Sequence, residues 1–198
     1  MTKNSYYPTY NVMDEQNEWD PHTRSIVAAR LIREQSYGFL TIVEAETLRA
    51  WCGLLMNDQR GDIMQYILSH MDQTLTDNKG EGQRKRDTPP IRHLLRQGLK
   101  GIDEAGWLTA SLPFFKLNEP AQRQIMLQIS SATYPPTRTW DGIPQKDLFQ
   151  KLLQLSVEAY YSHPLIWSEI GFGGPAYPRG YVRTAPGQVD PWEAVRKP

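Results

Sequence analysis

A single cysteine, Cys52, leaves the 198-residue chain no intrachain disulfide and no thiolate cluster for a metal. An excess of charge is missing as well: 22 basic residues balance 22 acidic ones, which removes the long-range attraction on which nucleic-acid binding mainly depends. Histidine is sparse. His22, His70, His93 and His163 stand far apart, and no His-x-x-x-His or Glu-x-x-His spacing turns two metal ligands to one side of a helix. No apolar run approaches the roughly 18 residues that would span a bilayer. Residues 1–20 contain neither an apolar h-region nor a twin-arginine pair. No alternating strand pattern and no internal repeat is found.

The local signatures of catalysis are equally thin. There is no Gly-x-Ser-x-Gly elbow. Cys52 follows Trp51 on the apolar face of its helix, where a small buried thiol is expected rather than a reactive thiolate. Asp103 and Glu104 are adjacent and diverge around a helix, so they make a poor acid/base pair. The run Gly171-Phe-Gly-Gly-Pro-Ala invites comparison with a phosphate loop. A phosphate cradle requires a strand before the glycines and a helix N-terminus after them. Here a helix precedes the run, and Pro175 and Pro178 remove amide donors. The basic triplet Arg84-Lys85-Arg86 sits in a polar, glycine-bearing stretch, 76–88, read as a solvated loop.

What is present is helical periodicity. Asp20-Pro21 predicts a helix start, with Ile26, Ala29 or Arg30, and Ile32 or Arg33 along a helix ending near Gly38. Thr41-Ile-Val-Glu44 fits a capping box, followed by Ala45, Leu48, Cys52 and Leu55 at three- and four-residue steps. Asp62 opens the next pattern, with Ile63, Tyr66, Ile67 and His70 or Met71 on one face. Thr88-Pro89 repeats the cap-then-proline signal before Ile91, Leu94, Leu95, Leu99 and Ile102. Gly98 and Gly101 interrupt that stripe, as a close helix–helix approach would require. Asn118-Glu-Pro starts a helix through Ile125 and Ile129. A Pro/Thr loop with Tyr134 and Trp140 leads to a last helix from about Pro144 to Ser162, apolar on more than one side and therefore expected at the centre. The class is all-α: one helical domain of about six helices over 21–170. Irregular arms rich in Gly, Pro and aromatics flank it, at 1–20 (extended) and 171–198.

Those arms hold the residues that local structure leaves unexplained. The last helical pattern stops at His163-Pro164, a short turn carries Trp167, and the arm begins at Gly171. Tyr6, Tyr7, Tyr10, Phe172, Tyr177, Tyr181 and Trp192 sit where no helix can bury them. Tyr and Trp suit interfaces because each joins a large apolar face to a polar handle. Two readings stand side by side: the aromatics pack back onto this protein's own helices, or they meet a partner. The expected partner surface is the N-terminal arm with residues 160–181, adding Tyr160, His163, Pro164, Trp167, Gly173, Gly174, Pro175 and Pro178, with the aromatics after Gly171 outward and Trp167 inward. A rival reading makes the chain an enzyme in its own right, with a site at His163, Glu169 and Tyr177.

Three stretches resemble the gluconate 2-dehydrogenase subunit 3 family, the small or gamma subunits of flavin-dependent sugar dehydrogenases. They are Phe39-Leu-Thr-Ile-Val-Glu-Ala-Glu-Thr-Leu, the run from Gly98-Leu-Lys-Gly-Ile-Asp-Glu-Ala to Phe115-Lys-Leu-Asn-Glu-Pro-Ala-Gln-Arg-Gln, and Ala159-Tyr-Tyr-Ser-His-Pro with Trp167-Ser-Glu-Ile-Gly-Phe-Gly-Gly-Pro-Ala-Tyr-Pro. The resemblance implies a non-catalytic subunit, without cofactor or metal of its own, within a complex that oxidises CH–OH groups. The implied partner is a large FAD-containing flavoprotein of the glucose–methanol–choline oxidoreductase group. Cytochrome subunits accompany some of the family's complexes. In several relatives the small subunit carries a twin-arginine signal and escorts the large one across the membrane; for this chain the alternative to a permanent subunit is a transient chaperone that releases the flavoprotein. Residues 1–20 depart from that pattern, so the expectation is a cytoplasmic protein, exported only with a partner that carries the signal.

Overall fold

Asp20 and Pro21 open the first helix as the sequence predicts. The Asp20 carboxylate accepts hydrogen bonds from the amides of His22 and Thr23, and Pro21 fills a position whose amide has no helical acceptor. This helix, α1 (Pro21–Ala29), stops well short of the expected end near Gly38. Arg30, Leu31 and Ile32 turn on bonds reaching back three residues. Its one buried residue is Val27, while Ile26 and Ile32 face solvent, so the buried face lies one position from the expected one. A helix with a single apolar residue to bury gains little from further turns. The structure, a computed structural model, describes residues 5–32, 36–78, 84–183 and 185–195. Residues 33–35 of the stretch leading to Gly38, residues 79–83 of the 76–88 loop, residues 1–4 of the N-terminal arm and residues 184 and 196–198 of the C-terminal arm therefore lie outside the described residues.

No strand occurs among the described residues, and the class is all-α. They group into two units. One comprises residues 34–159; the other joins the two chain ends, 1–33 and 160–198.

The larger unit is built on α2 (Ile42–Met56), α3 (Gly61–Asp77), α4 (Ile91–Ala110), α5 (Glu119–Ser130) and α6 (Gln145–Tyr160). The capping box forms: Thr41 Oγ1 receives the Glu44 amide while Glu44 reaches back to the Thr41 amide at 2.8 Å. Glu44 also pairs with Arg96 of α4. Ahead of α2, the chain is pinned by Asp72 of α3, whose carboxylate takes the amides of Gly38, Phe39 and Leu40 at 2.7 to 2.9 Å. Helix α3 begins at Gly61, one residue before Asp62, and runs through Asp77 into the stretch expected to be loop. The Thr88 cap does not form. Pro90 precedes α4, and the Thr88 hydroxyl instead donates to Asp147 of α6 at 2.9 Å.

Trp51 and Phe114 lie at the heart of this unit, both fully buried, with ring centroids 5.8 Å apart. Cys52, also buried, meets the Ser156 hydroxyl of α6 at 3.4 Å. The glycines of α4 have the expected reason. A Cβ at Gly98 would overlap Leu148 of α6, so absence of a side chain lets the two helices close. Gly101 differs: its neighbour is the indole of Trp140, from the 3-10 turn Arg138–Trp140, rather than a helix. Helix α6 buries Leu148, Leu152 and Leu155, but Leu153 and Val157 reach solvent. Its second apolar side is therefore surface, and the expectation of a fully central helix is corrected.

In the smaller unit, residues expected to be extended form a 3-10 helix, Val12–Glu18, capped by Asn11. The expected turn around Trp167 is a helix, α7 (Pro164–Ile170). Val12, Trp19, Val27 and Trp167 make a small buried core, with Tyr10 and Met13 packed on it.

Candidate partner-binding surface

The site is assembled on α7, because a helix start and stop are both written into its sequence. His163 caps it, its Nδ1 accepting the Leu165 amide at 3.1 Å, and Pro164 takes the first helical position. That acceptor role requires an Nδ1 without a proton. Gly171 ends the helix with φ +78°, the left-handed conformation that glycine adopts without strain. Between them Trp167 turns inward. Its indole N–H donates to the Tyr161 carbonyl at 2.5 Å, its ring meets Phe172 edge-on at 5.4 Å, and the Arg30 guanidinium lies 5.2 Å over its face.

The N-terminal residues are tied to this helix. Ser168 Oγ accepts the Val12 amide at 3.0 Å and itself donates to Pro164 O. The Ser5 hydroxyl donates to the Glu169 carbonyl at 2.8 Å. A Cβ on Gly171 would strike the Tyr7 ring. The segment after α7 is held in the same way. Gly174, at φ +77°, lies against Trp19 and Val12, and Gly173 lies against Trp192. Tyr10 donates its phenol to the Trp192 carbonyl at 2.7 Å, and burial pushes that phenol up to about 12, with the Glu15 carboxylate adding to the effect.

Arg179 is the hub of the loop. Its Nη2 donates to the carbonyls of Gly173 and Pro175 at 2.7 and 3.0 Å, and its guanidinium stacks over Trp192 at 4.4 Å. Burial draws its pKa below the usual arginine value, against the opposing pull of Glu15 and Glu18. Further on, the buried Asp190 accepts the amides of Val182 and Arg183 at 2.8 Å each, closing the last turn. Tyr177 and Pro178 join through a cis peptide bond.

Of the residues singled out in the sequence, the structure brings together Tyr7 with Gly171, Tyr10 and Gly173 with Trp192, and Trp167 with Phe172. Tyr160 is buried beside Tyr161. Phe172, Tyr177 and Tyr181 remain 40%, 71% and 64% exposed, and Tyr6 is open to solvent too. One group of arm aromatics thus serves the protein's own small core, and the other presents unburied rings. His163 has its Nδ1 engaged by the Leu165 amide, Glu169 contributes its backbone carbonyl to Ser5, and Tyr177 projects into solvent.

Sequence reasoning passed over Ser5, Val12, Trp19, Ser168, Arg179 and Asp190. Two left a trace. Arg179 is the only charged residue between Gly171 and Tyr181, and Asp190-Pro191 repeats the Asp-Pro pair that opens α1. The others act through contacts between distant parts of the chain, for which spacing carries no signal.

Among the described residues no group of three or more His, Cys, Asp or Glu is placed to hold a metal ion, and no helix is long and apolar enough to cross a membrane. No curated protein and no solved structure matches the chain. A family model does match, from the start of α2 through α7 to the glycine turn that Trp19 covers. Over residues 43–174 it is the model of gluconate 2-dehydrogenase subunit 3, and the chain belongs to that family.

Proposed function

We propose that this chain is the non-catalytic small subunit of a heteromeric dehydrogenase. It binds and stabilises a large FAD-containing subunit of the glucose–methanol–choline oxidoreductase group, which oxidises CH–OH groups of sugars, sugar acids or glycosides. Family membership over residues 43–174 carries the reading, because that family is a subunit of a dehydrogenase complex. The flavin, and with it the hydride chemistry, belongs to the large subunit.

The geometry supports a docking role for the segment after α7. Phe172, Tyr177 and Tyr181 stand outward on a loop whose backbone is clamped by Arg179, Trp19 and Trp192. A clamped loop loses little conformational freedom on binding, so more of its buried aromatic area is retained as affinity.

Co-expression with the large subunit tests the reading. The expected result is a stable one-to-one peak in size-exclusion chromatography that is yellow with bound flavin, and a large subunit that loses solubility or flavin when expressed alone. A large subunit equally soluble, flavin-loaded and active without this chain overturns it. So does turnover of sugar substrates by the purified single chain.

A further inference from the structure

The basic triplet Arg84-Lys85-Arg86 lies in the larger unit, held against α6. Lys85 Nζ meets one oxygen of the Asp147 carboxylate at 2.5 Å, and the Thr88 hydroxyl donates to the other at 2.9 Å. The Thr88 amide closes a turn on the Lys85 carbonyl at 3.1 Å. This loop and α6 wall a cleft of about 190 Å³, which Arg84, Lys85 and Asp147 line together with Gln150, Lys151 and Gln154. Three cations there face a single carboxylate, and both of its oxygens are taken. The hydrogen bond from Lys85, the largest influence, holds the Asp147 carboxyl below its usual range. Asp147 is thus ionised and committed to Lys85.

Two cations are left over. Arg49, Arg60, Arg96 and Arg123 of the same unit each hold a carboxylate. Arg84 has no hydrogen-bond or ion-pair partner among the described residues, and Lys151 donates there only to the neutral Gln154 side chain, at 3.1 Å. Helix α6 supplies no second acid on this face, since the residues three, four and seven positions after Asp147 are Gln150, Lys151 and Gln154.

We propose that this cleft is a docking site for an acidic segment of a protein partner, one of whose carboxylates is held by Arg84 and Lys151 with the Gln150 amide as a further donor. In the assembled complex that segment belongs to the large subunit. This last clause rests on the subunit reading; the anion binding does not.

Size, charge and preorganisation select this occupant. Small-molecule sites usually enclose about 300–1,000 Å³, so the cleft suits a group of side-chain size rather than a cofactor. A planar monoanion matches the guanidinium fork of Arg84, whereas a phosphate dianion would meet stronger repulsion from Asp147. A long polyanion gains little from a chain whose 22 basic and 22 acidic residues cancel. Exposed ion pairs are individually weak, so several carboxylates in one segment are needed, the others meeting Arg86 and Lys146 at the margins. The turn fixed by Thr88 and Asp147 holds the basic loop in place before binding, which lowers the ordering cost.

The full chain, labelled with nitrogen-15, is titrated with acetylated and amidated tetraglutamate, with its tetraglutamine counterpart, with inorganic phosphate and with a short oligothymidine. Saturable shifts of the Gln150 and Gln154 side-chain amides with tetraglutamate are expected, weakening as salt is raised. Affinity should fall at least tenfold in the double variant Arg84→Gln/Lys151→Gln. It should persist in Lys100→Gln/Lys116→Gln, which removes the same charge away from the cleft. No saturable shift, equal loss in both double variants, or preference for tetraglutamine, phosphate or oligothymidine overturns the site. In the co-expressed complex Arg84→Gln/Lys151→Gln should weaken association with the large subunit and reduce its salt dependence. Unchanged association in that variant overturns the partner clause. Should no large subunit associate at all while tetraglutamate still binds, the subunit reading fails and the cleft stands.

Discussion

Replacing Gly174 by Ala tests how the loop after α7 is held. Two separate costs arise at this residue. Its φ of +77° is a conformation in which a Cβ costs about 1–2 kcal/mol. The added Cβ would also lie 2.7 Å from Trp19 Cζ2 and 3.2 Å from Val12 Cγ2, both in buried side chains. Forcing a methyl into a packed core costs about 1–3 kcal/mol more. The expected loss is therefore about 2–5 kcal/mol in all. Gly187 provides the control, since at φ +80° it meets no atom within 4 Å among the described residues. Gly187→Ala should lose only the backbone share, about 1–2 kcal/mol. Urea unfolding followed by tryptophan fluorescence reads both variants. A double-mutant cycle isolates the indole's share: Trp19→Phe removes the ring atom that the new methyl would strike and leaves the Val12 contact, so the excess of Gly174→Ala over Gly187→Ala should shrink in that background. Equal losses in the two single variants, or an excess undiminished by Trp19→Phe, would refute the steric account of this turn.

Other perturbations probe the remaining supports. His163→Ala removes the side-chain cap of α7 and should cost about 1 kcal/mol in urea unfolding, whereas His163→Asn, a good N-cap residue, should recover most of it. Asp72→Ala frees the amides of Gly38, Phe39 and Leu40 and should cost about 2–4 kcal/mol, the loss showing as a lower melting temperature. Burial pushes the Cys52 thiol from 9.0 up to about 11, with the Ser156 hydroxyl opposing. Its thiolate fraction at pH 8 then falls about a hundredfold, and a disulfide reagent should label it only after unfolding. Because the folded pKa lies above the unfolded one, the stabilisation is complete below pH 9 and is lost as pH rises toward 11; Cys52→Ala should remove that part of the alkaline decline.

Where the sequence was legible, the signal was local. The Thr41–Glu44 box, the Asp20-Pro21 start and the Asn118-Glu-Pro start all form, the last with the Asn118 side chain accepting the Ala121 amide, because each hydrogen bond links residues within one turn of a helix. The Thr88 cap does not form because two prolines, Pro89 and Pro90, separate Thr88 from the start of α4 at Ile91, and its hydroxyl donates to Asp147 of α6 instead. α6 was read as central because apolarity counts residues without saying what covers them, and Leu153 and Val157 are left uncovered. The glycines of α4 announced a close approach, but whether a helix or an indole made it depended on where Leu148 and Trp140 came to rest.

The candidate surface divides along the same line. The chain's membership in a dehydrogenase-subunit family and its store of arm aromatics follow from the order of residues alone, since a motif and a composition need no coordinates. Which aromatics turn inward was decided by partners far away in the chain. Trp167 is held by Tyr161 and Arg30, Tyr10 by Trp192, and Gly174 leaves the room that Trp19 fills. Ser168 is the clearest case: in sequence it is one polar residue between Trp167 and Glu169, and only the return of Val12 makes its hydroxyl the acceptor for that residue's amide, because the bond joins residues far apart in the chain.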